Sequence, residues 1–300
     1  MRTAFLGTSE FAAAVLERLA RSPHRPSLVV TPPDRPRGRG RQSGPPPAAG
    51  AAAALGIELL QAESVDDDAV VEQIRAARPE AIAVCAFGQL IREPLLSGLL
   101  LNVHPSLLPR WRGAAPIERA IMAGDERTGV CVMRVTAELD AGPVALREEV
   151  PIGQEDDFGT LSERLAALGG ELLVQAFDLQ GEGLLELTEQ DDAEATYAEK
   201  IDPDARRLDP ARPAAELART VRALTPHIGA YLEVGAGDRL GVRRARPVEV
   251  SVKRGEIRAE WGALLLGCGR GALRLEVVQP PGGRPMSADA YLRGHPVPVL

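Results

Sequence analysis

The spacing of apolar runs over the first hundred residues constrains this chain more than any other feature. Residues 3–6 form a short apolar run that stops at Gly7-Thr8-Ser9; Phe11, Val15 and Leu19 then recur at helical spacing, with Ser9 placed to cap the helix. Residues 28–31 and 57–60 read as further strands with a short Ala-rich helix between them, 66–77 as another helix, and 81–86 and 99–103 as two more strands. Strand and helix alternating at this interval imply right-handed βαβ units on a parallel sheet, an α/β fold. Segments 129–135 and 144–150, with Gly142-Pro143 between them, read as a hairpin at the sheet's edge. A long helix follows: Thr160-Leu-Ser-Glu163 has the form of a capping box, and Leu161, Leu165, Leu168 and Leu172 make one apolar stripe.

The pattern then changes. Between residues 188 and 210 the apolar periodicity lapses into charged residues and prolines, which reads as a linker. Residues 213–224 read as a helix, and 230–234, 240–246, 257–260, 263–266 and 272–278 as short strands punctuated by glycine, the pattern of a small barrel. A length of 300 residues accommodates two such domains. With 45% hydrophobic and 26% charged residues the chain is neither disordered nor fibrous, and no apolar stretch approaches the ~20 residues of a membrane span. Three widely spaced cysteines, Cys85, Cys131 and Cys268, argue for reduced thiols, and the first residues run into a strand with no secretory pattern, so the expected location is the cytoplasm.

The net charge of −7 conceals an asymmetry. Residues 204–300 carry 16 Lys+Arg against 10 Asp+Glu, whereas residues 1–203 hold the other 19 basic and 32 acidic groups. A split of this kind suggests different partners for the two halves. The first half nonetheless contains one basic segment, 32–47, with six Pro, three Gly, one Asp and the arginines Arg35, Arg37, Arg39 and Arg41. Its composition excludes helix and central strand, so it is expected to be a structureless loop, either a loose insertion or an arm for phosphates.

The chemistry concentrates at Asn102-Val-His104-Pro105. In an extended chain Asn102 and His104 face one side while Leu101 and Val103 face the other, and Pro105 biases His104 away from helix. The pair ends a parallel strand, where open α/β sheets place their ligands, and an amide with an imidazole there suits a carbonyl oxygen that gains charge in acyl transfer. The plainer reading is a polar pair that pins the following loop. A carboxylate partner for the ring would orient it and stabilise positive charge on it; Asp140 and Glu138, both near a turn between edge strands, compete for that place. His24, His227 and His295 lack neighbours at ligand spacing, so no metal site is expected. Cys131 lies among apolar neighbours and reads as core. Gly7-Thr8-Ser9-Glu10 carries neither a dinucleotide fingerprint nor a phosphate-loop lysine.

The segment Asn102-Val-His104-Pro-Ser106-Leu107-Leu108-Pro109-Arg-Trp-Arg-Gly-Ala-Ala-Pro116-Ile, followed by Leu139-Asp140-Ala-Gly-Pro, resembles the signature of folate-dependent formyltransferases. Phe5-Leu-Gly7-Thr8-Ser-Glu-Phe11-Ala, Pro33-Asp34-Arg-Pro-Arg-Gly-Arg39-Gly40, Ala86-Phe-Gly88-Gln-Leu90-Ile, Thr196-Tyr197-Ala198-Glu199-Lys200 and Met286-Ser287-Ala288 resemble the branch that formylates methionyl initiator tRNA. The resemblance covers nearly the whole chain. It implies a Rossmann-like catalytic domain over residues 1–187, a linker over 188–205, and an OB-like β-barrel over 206–300 that binds tRNA. It implies transfer of a formyl group from 10-formyltetrahydrofolate to the methionine α-amino group of initiator methionyl-tRNA, with Asn102, His104 and Asp140 catalytic and no metal. Ser106, Leu107, Leu108 and Pro109 map to the folate contact, and Phe87, Gly88, Gln89 and Leu90 to the pterin pocket. The 32–47 segment corresponds to the element that enters the tRNA acceptor end, with Arg39 in the matching place. No membrane and no stable protein partner are implied. The family commonly has Trp where His227 stands and often Trp where Pro210 stands, departures confined to the C-terminal domain. The alternative is a related formyltransferase acting on a small amine.

Overall fold

The computed structural model describes every residue except 38–41, 236 and 261. The chain runs β1 (Thr3–Gly7), α1 (Glu10–Ala20), β2 (Pro26–Thr31), β3 (Arg35–Arg37), β4 (Gln42–Gly44), α2 (Pro47–Leu55), β5 (Glu58–Gln61), α3 (Asp68–Ala76), β6 (Ala81–Cys85), β7 (Leu100–His104), β8 (Arg112–Gly113) and α4 (Pro116–Ala123). It continues through β9 (Arg127–Arg134), β10 (Val144–Pro151), α5 (Phe158–Glu182), β11 (Tyr197–Ala198), α6 (Ala214–Ala223), β12 (Ala230–Val234), β13 (Asp238–Val248), β14 (Ile257–Glu260), β15 (Ala263–Gly267), β16 (Ala272–Gln279), β17 (Met286–Ser287) and α7 (Ala288–Gly294). None of the described helices is long and apolar enough to cross a membrane.

The expected α/β architecture is present. A seven-stranded sheet has the order β10-β9-β7-β6-β1-β2-β5, and β5, β2, β1, β6 and β7 are mutually parallel. Strands β1 and β6 are buried along their whole length, which explains their unbroken apolar sequences. The chain builds outward from β1 through β2 to β5, then returns to the other side through β6 and β7. The order therefore reverses between β1 and β6, and their carboxyl ends open the crevice where such sheets bind ligands. Thr8 Oγ1 donates to the Phe87 carbonyl at 2.8 Å, tying the two strand ends together. A second sheet, β12-β13-β16-β15-β14 with β17 on β16, is antiparallel throughout, and its strands coincide with the glycine-punctuated runs.

Two compact units emerge, and they interleave in sequence. The first comprises Met1–Gly113, Thr128–Val150 and Ser162–Tyr197; the second comprises Ala114–Arg127, Pro151–Leu161 and Ala198–Leu300. Helix α4 thus belongs with α6: Arg219 Nε donates to the Met122 carbonyl at 3.2 Å. In the same unit His227 stacks on Phe158 with ring centroids 3.6 Å apart and meets Glu118 Oε1 at 3.0 Å, so this ring is packed and paired.

Two local expectations are corrected. Segment 32–47 is not structureless: β3 and β4 pair antiparallel with Arg35 opposite Gly44 and Pro36 opposite Ser43. Proline forbids a central strand but tolerates a two-stranded ribbon, which has two edges. The capping of α5 also differs. Its reciprocal pair is Asp157 with Thr160: Thr160 N donates to Asp157 Oδ1 at 2.9 Å and Asp157 N to Thr160 Oγ1 at 3.1 Å. Asp157 is as good a cap as Thr160 and comes first, so the helix starts at Phe158. Residues 188–205, read as a linker, hold a short helical turn, Asp192–Glu194, and strand β11.

Candidate functional site

Strand β7 positions the first two side chains. Leu101 and Val103 are buried on one face. A Cβ on Gly169 of α5 would stand 2.6 Å from Val103 Cγ1, so glycine is what lets the helix approach that closely. Burying such side chains contributes ~1.5–3 kcal/mol each and fixes the strand's rotation. Asn102 and His104 therefore face the other way, about 6.6 Å apart along the strand, with Asn102 half-buried and His104 4% exposed. Antiparallel β9 lies alongside, placing Met133 opposite Asn102 and Cys131 opposite His104. Burial pushes the Cys131 thiol up to about 11, in keeping with its reading as core.

Asp140 is the carboxylate that reaches the ring. Its Oδ2 lies 3.7 Å from His104 Nδ1, an ion-pair separation longer than a hydrogen bond. Glu138 is exposed, so the choice left open by the sequence resolves to Asp140. The other ring nitrogen, Nε2, donates to the Trp111 carbonyl at 2.9 Å. A carbonyl accepts and never donates, so Nε2 must carry hydrogen. The Asp140 carboxylate in turn accepts from Gly113 N at 2.9 Å. One short segment, 111–113, thus fixes both members of the pair.

The backbone there is strained. Trp111 at φ +63°, Asp140 at φ +50° and Ala86 at φ +43° are all left-handed without being glycine. Such conformations cost of order 1–3 kcal/mol each and persist where surrounding contacts impose them. Sequence reasoning missed Trp111, Gly113, Gln190 and Thr196. Trp111 N donates to Thr196 Oγ1 at 2.9 Å, and Gln190 Nε2 donates to the carbonyls of Asp140 and Gly142. Their work is done by backbone groups and by polar side chains in an aperiodic stretch, which leave no periodic signal.

The residues mapped to a folate contact divide. Ser106 is fully buried and its Oγ donates to the Arg110 carbonyl at 2.7 Å; Leu108 is buried with Cys131 and Met133; Phe87 is buried in the core of the first unit. The Gln89 amide is engaged locally, accepting from Val65 N at 2.8 Å and donating to the Ala62 carbonyl. Leu107 and Pro109 are half-buried, Gly88 is exposed and Leu90 is 58% exposed. Of the four arginines, Arg35 is exposed with its guanidinium 3.4 Å from Glu63, Arg37 falls in β3, and Arg39 and Arg41 lie outside the described residues. A groove of about 750 Å³ is lined by residues including Arg207, Lys253 and Arg254; all of its lining belongs to the second unit, and none to the His104 site.

Comparison with known proteins identifies the family. Residues 1–177 match the family model described as formyl transferase, and residues 200–296 the model described as formyl transferase, C-terminal domain. The methionyl-tRNA formyltransferase of Methylobacillus flagellatus is 42% identical over 301 residues, covering 99% of this chain and 97% of the relative. That of Pseudomonas paraeruginosa is 43% identical over 302 residues, covering 97% and 95%. Among solved structures, HypX from Aquifex aeolicus in complex with tetrahydrofolic acid superposes with a TM-score of 0.69 at 20% identity, over 97% of this chain and 47% of that one. The sugar 3N-formyl transferase WlaRD gives a TM-score of 0.68 at 13% identity, over 92% and 97%. Spanning both domain models and matched end to end by such relatives, this chain belongs to the formyl transferase family.

Proposed function

We propose that this protein transfers a formyl group from 10-formyltetrahydrofolate to the α-amino group of methionine on initiator tRNA, in the cytoplasm, for translation initiation. The observation that carries the reading is the pairing of His104 with Asp140 beside Asn102 at the carboxyl end of β7, in a chain 41–43% identical along its length to methionyl-tRNA formyltransferases. In this reading residues 1–187 are catalytic, 188–205 a linker, and 206–300 the tRNA-binding domain. Arg35, Arg37, Arg39 and Arg41 add a basic arm for the acceptor end.

The chemistry follows from the side chains. The free amine attacks the formyl carbon, a C–N bond forms, and the formyl oxygen takes negative charge. Asn102 donates to that oxygen from its carboxamide. His104, anchored through Nε2, keeps Nδ1 beside the Asp140 carboxylate, which stabilises a positive ring next to that oxygen. Preorganised donors of this kind are worth ~10²–10³ in rate apiece. The bond to folate N10 then breaks, N10 takes up a proton as the amine nitrogen gives one up, and a water held by Asp140 accepts the proton the starting ammonium must lose. Gly88, Leu90, Leu107 and Pro109 offer the accessible surface for the folate; Phe87, Gln89, Ser106 and Leu108 shape that wall from behind.

Steady-state transfer from 10-formyltetrahydrofolate to charged initiator tRNA, charged elongator tRNA and a panel of small amines tests the reading. Initiator methionyl-tRNA is expected to be the preferred acceptor. Preference for a small amine would replace this reading with the alternative formyltransferase.

A further inference from the structure

We propose that Gln190 is a positioning residue for this reaction, holding the backbone of Asp140 in the left-handed conformation that aims its carboxylate at His104. The inference rests on the formyl-transfer reading and adds a residue to its machinery. Gln190 Nε2 donates to the Asp140 carbonyl at 2.9 Å and to the Gly142 carbonyl at 2.7 Å, bridging the turn from a position 50 residues away. Its Oε1 accepts from Arg112 Nε at 3.0 Å. Arg112 is 3% exposed, and its Nη2 is held by Asp192 Oδ1 at 2.7 Å.

The direction of the Gln190 amide is dictated by chemistry. Guanidinium nitrogens only donate and carbonyl oxygens only accept, so the oxygen must face Arg112 and the nitrogen must face the turn. The turn has little freedom of its own. A Cβ on Gly142 would stand 2.0 Å from the Arg134 carbonyl, which closes one side. Gln190 closes another, while Gly113 N grips the carboxylate. Asp140 at φ +50° would relax toward ordinary backbone if the carbonyl bonds were lost, and its carboxylate would leave the 3.7 Å approach to His104.

The test compares wild type with Gln190→Met, Gln190→Glu, Asp140→Asn and the Asp140→Asn/Gln190→Met double variant. Gln190→Met removes the amide at similar volume. Gln190→Glu keeps the Arg112 acceptor, so the fold is retained, but sets a carboxylate oxygen against two carbonyls. Both are expected to lower kcat by about 10- to 100-fold, with KM for either substrate changed by no more than about two-fold, because positioning is lost and ground-state binding is not. In the Asp140→Asn background, Gln190→Met is expected to add less than about three-fold, since the group it positions no longer functions. The NMR Cα shift of Asp140, which reports φ, is expected to leave the left-handed range in Gln190→Met whatever the substrate is. An unchanged Asp140 shift, wild-type kcat in both single variants, or a fully multiplicative double variant would overturn the proposal. A wild-type protein that transfers no formyl group overturns the functional reading instead, and the Asp140 shift still decides the role of Gln190.

Discussion

His104 Nε2 donates to the Trp111 carbonyl at 2.9 Å, which leaves Nδ1, 3.7 Å from the Asp140 carboxylate, as the ring nitrogen that the backbone does not hold. The anchor matters because an imidazole has two chemically similar nitrogens. Fixing one on a carbonyl decides which nitrogen faces the carboxylate. Trp111 is itself held in a left-handed conformation at φ +63°.

Thr196 supports that anchor. Its Oγ1 accepts from Trp111 N at 2.9 Å, and its own carbonyl accepts from Arg112 N at 2.9 Å. Thr196→Val keeps the shape and removes the side-chain acceptor, at a cost of ~1 kcal/mol in stability. The expected result is a kcat about 10-fold lower, with activity largely retained by Thr196→Ser. Equal activity in the valine and serine variants would show that the Trp111 anchor does not need this bond.

Gly142→Ala tests the turn that presents Asp140. The new methyl would meet the Arg134 carbonyl, so the backbone must move. A stability loss of ~1–3 kcal/mol is expected from overpacking. A kcat loss of about 100-fold should accompany it if Asp140 moves by about an ångström. Thermal melts and steady-state kinetics on the same preparation check both.

The buried cysteines give a pH dependence with a definite sign. Burial raises Cys131 and Cys268 from an ordinary value of 9.0 to about 11, and raises Cys85 as well. The folded protein therefore keeps its thiols protonated where the unfolded chain ionises them. Their stabilisation is fully present below about pH 9 and is lost as pH rises toward 11. The melting temperature is expected to fall across that window, and Cys131→Ala is expected to flatten the slope whatever it does to stability at neutral pH. Thiol-directed reagents at pH 7.5 should label none of the three without denaturant.

The basic surface predicts a salt effect confined to one substrate. Residues 204–300 carry 16 basic against 10 acidic groups, and Arg35 is exposed on the β3–β4 ribbon. Affinity for charged tRNA is expected to fall linearly on a log–log plot against salt, by ~0.7–0.9 per phosphate contact, while affinity for the folate changes little. Filter binding across a range of potassium chloride concentrations measures the slope. A flat tRNA line would remove the electrostatic account of RNA binding.

Much of this was legible in the sequence because burial writes periodicity. The runs at β1, β6 and β7 and the strands of the second sheet stand out because buried strands need apolar residues at fixed intervals. The Asn102 and His104 pair was visible for the same reason, as two polar side chains two apart in an apolar strand. Pattern alone did not separate Asp140 from Glu138, since the choice depends on a left-handed turn that no periodicity encodes; only the resemblance of Leu139-Asp140-Ala-Gly-Pro pointed to Asp140. Gln190 and Thr196 lie in a charged, aperiodic stretch and act through hydrogen bonds to distant backbone and side-chain groups. The β3–β4 ribbon was hidden by its prolines, which exclude central strands but not a two-stranded edge. Helix α4 joins the second unit because of packing with α6, a relationship that linear order does not carry.

Single-turnover formylation of charged initiator tRNA, with both substrates saturating, tests the central claim most directly. Wild type should convert the bound aminoacyl end in one exponential phase. Asn102→Ala and His104→Ala should be slower by at least ~10²–10³ with unchanged substrate affinity. Asn102→Ala should melt as wild type does, and His104→Ala, which leaves the Trp111 carbonyl without its donor, should melt lower but still cooperatively. Transfer by either variant at the wild-type rate would contradict the assignment of oxyanion stabilisation to these two side chains.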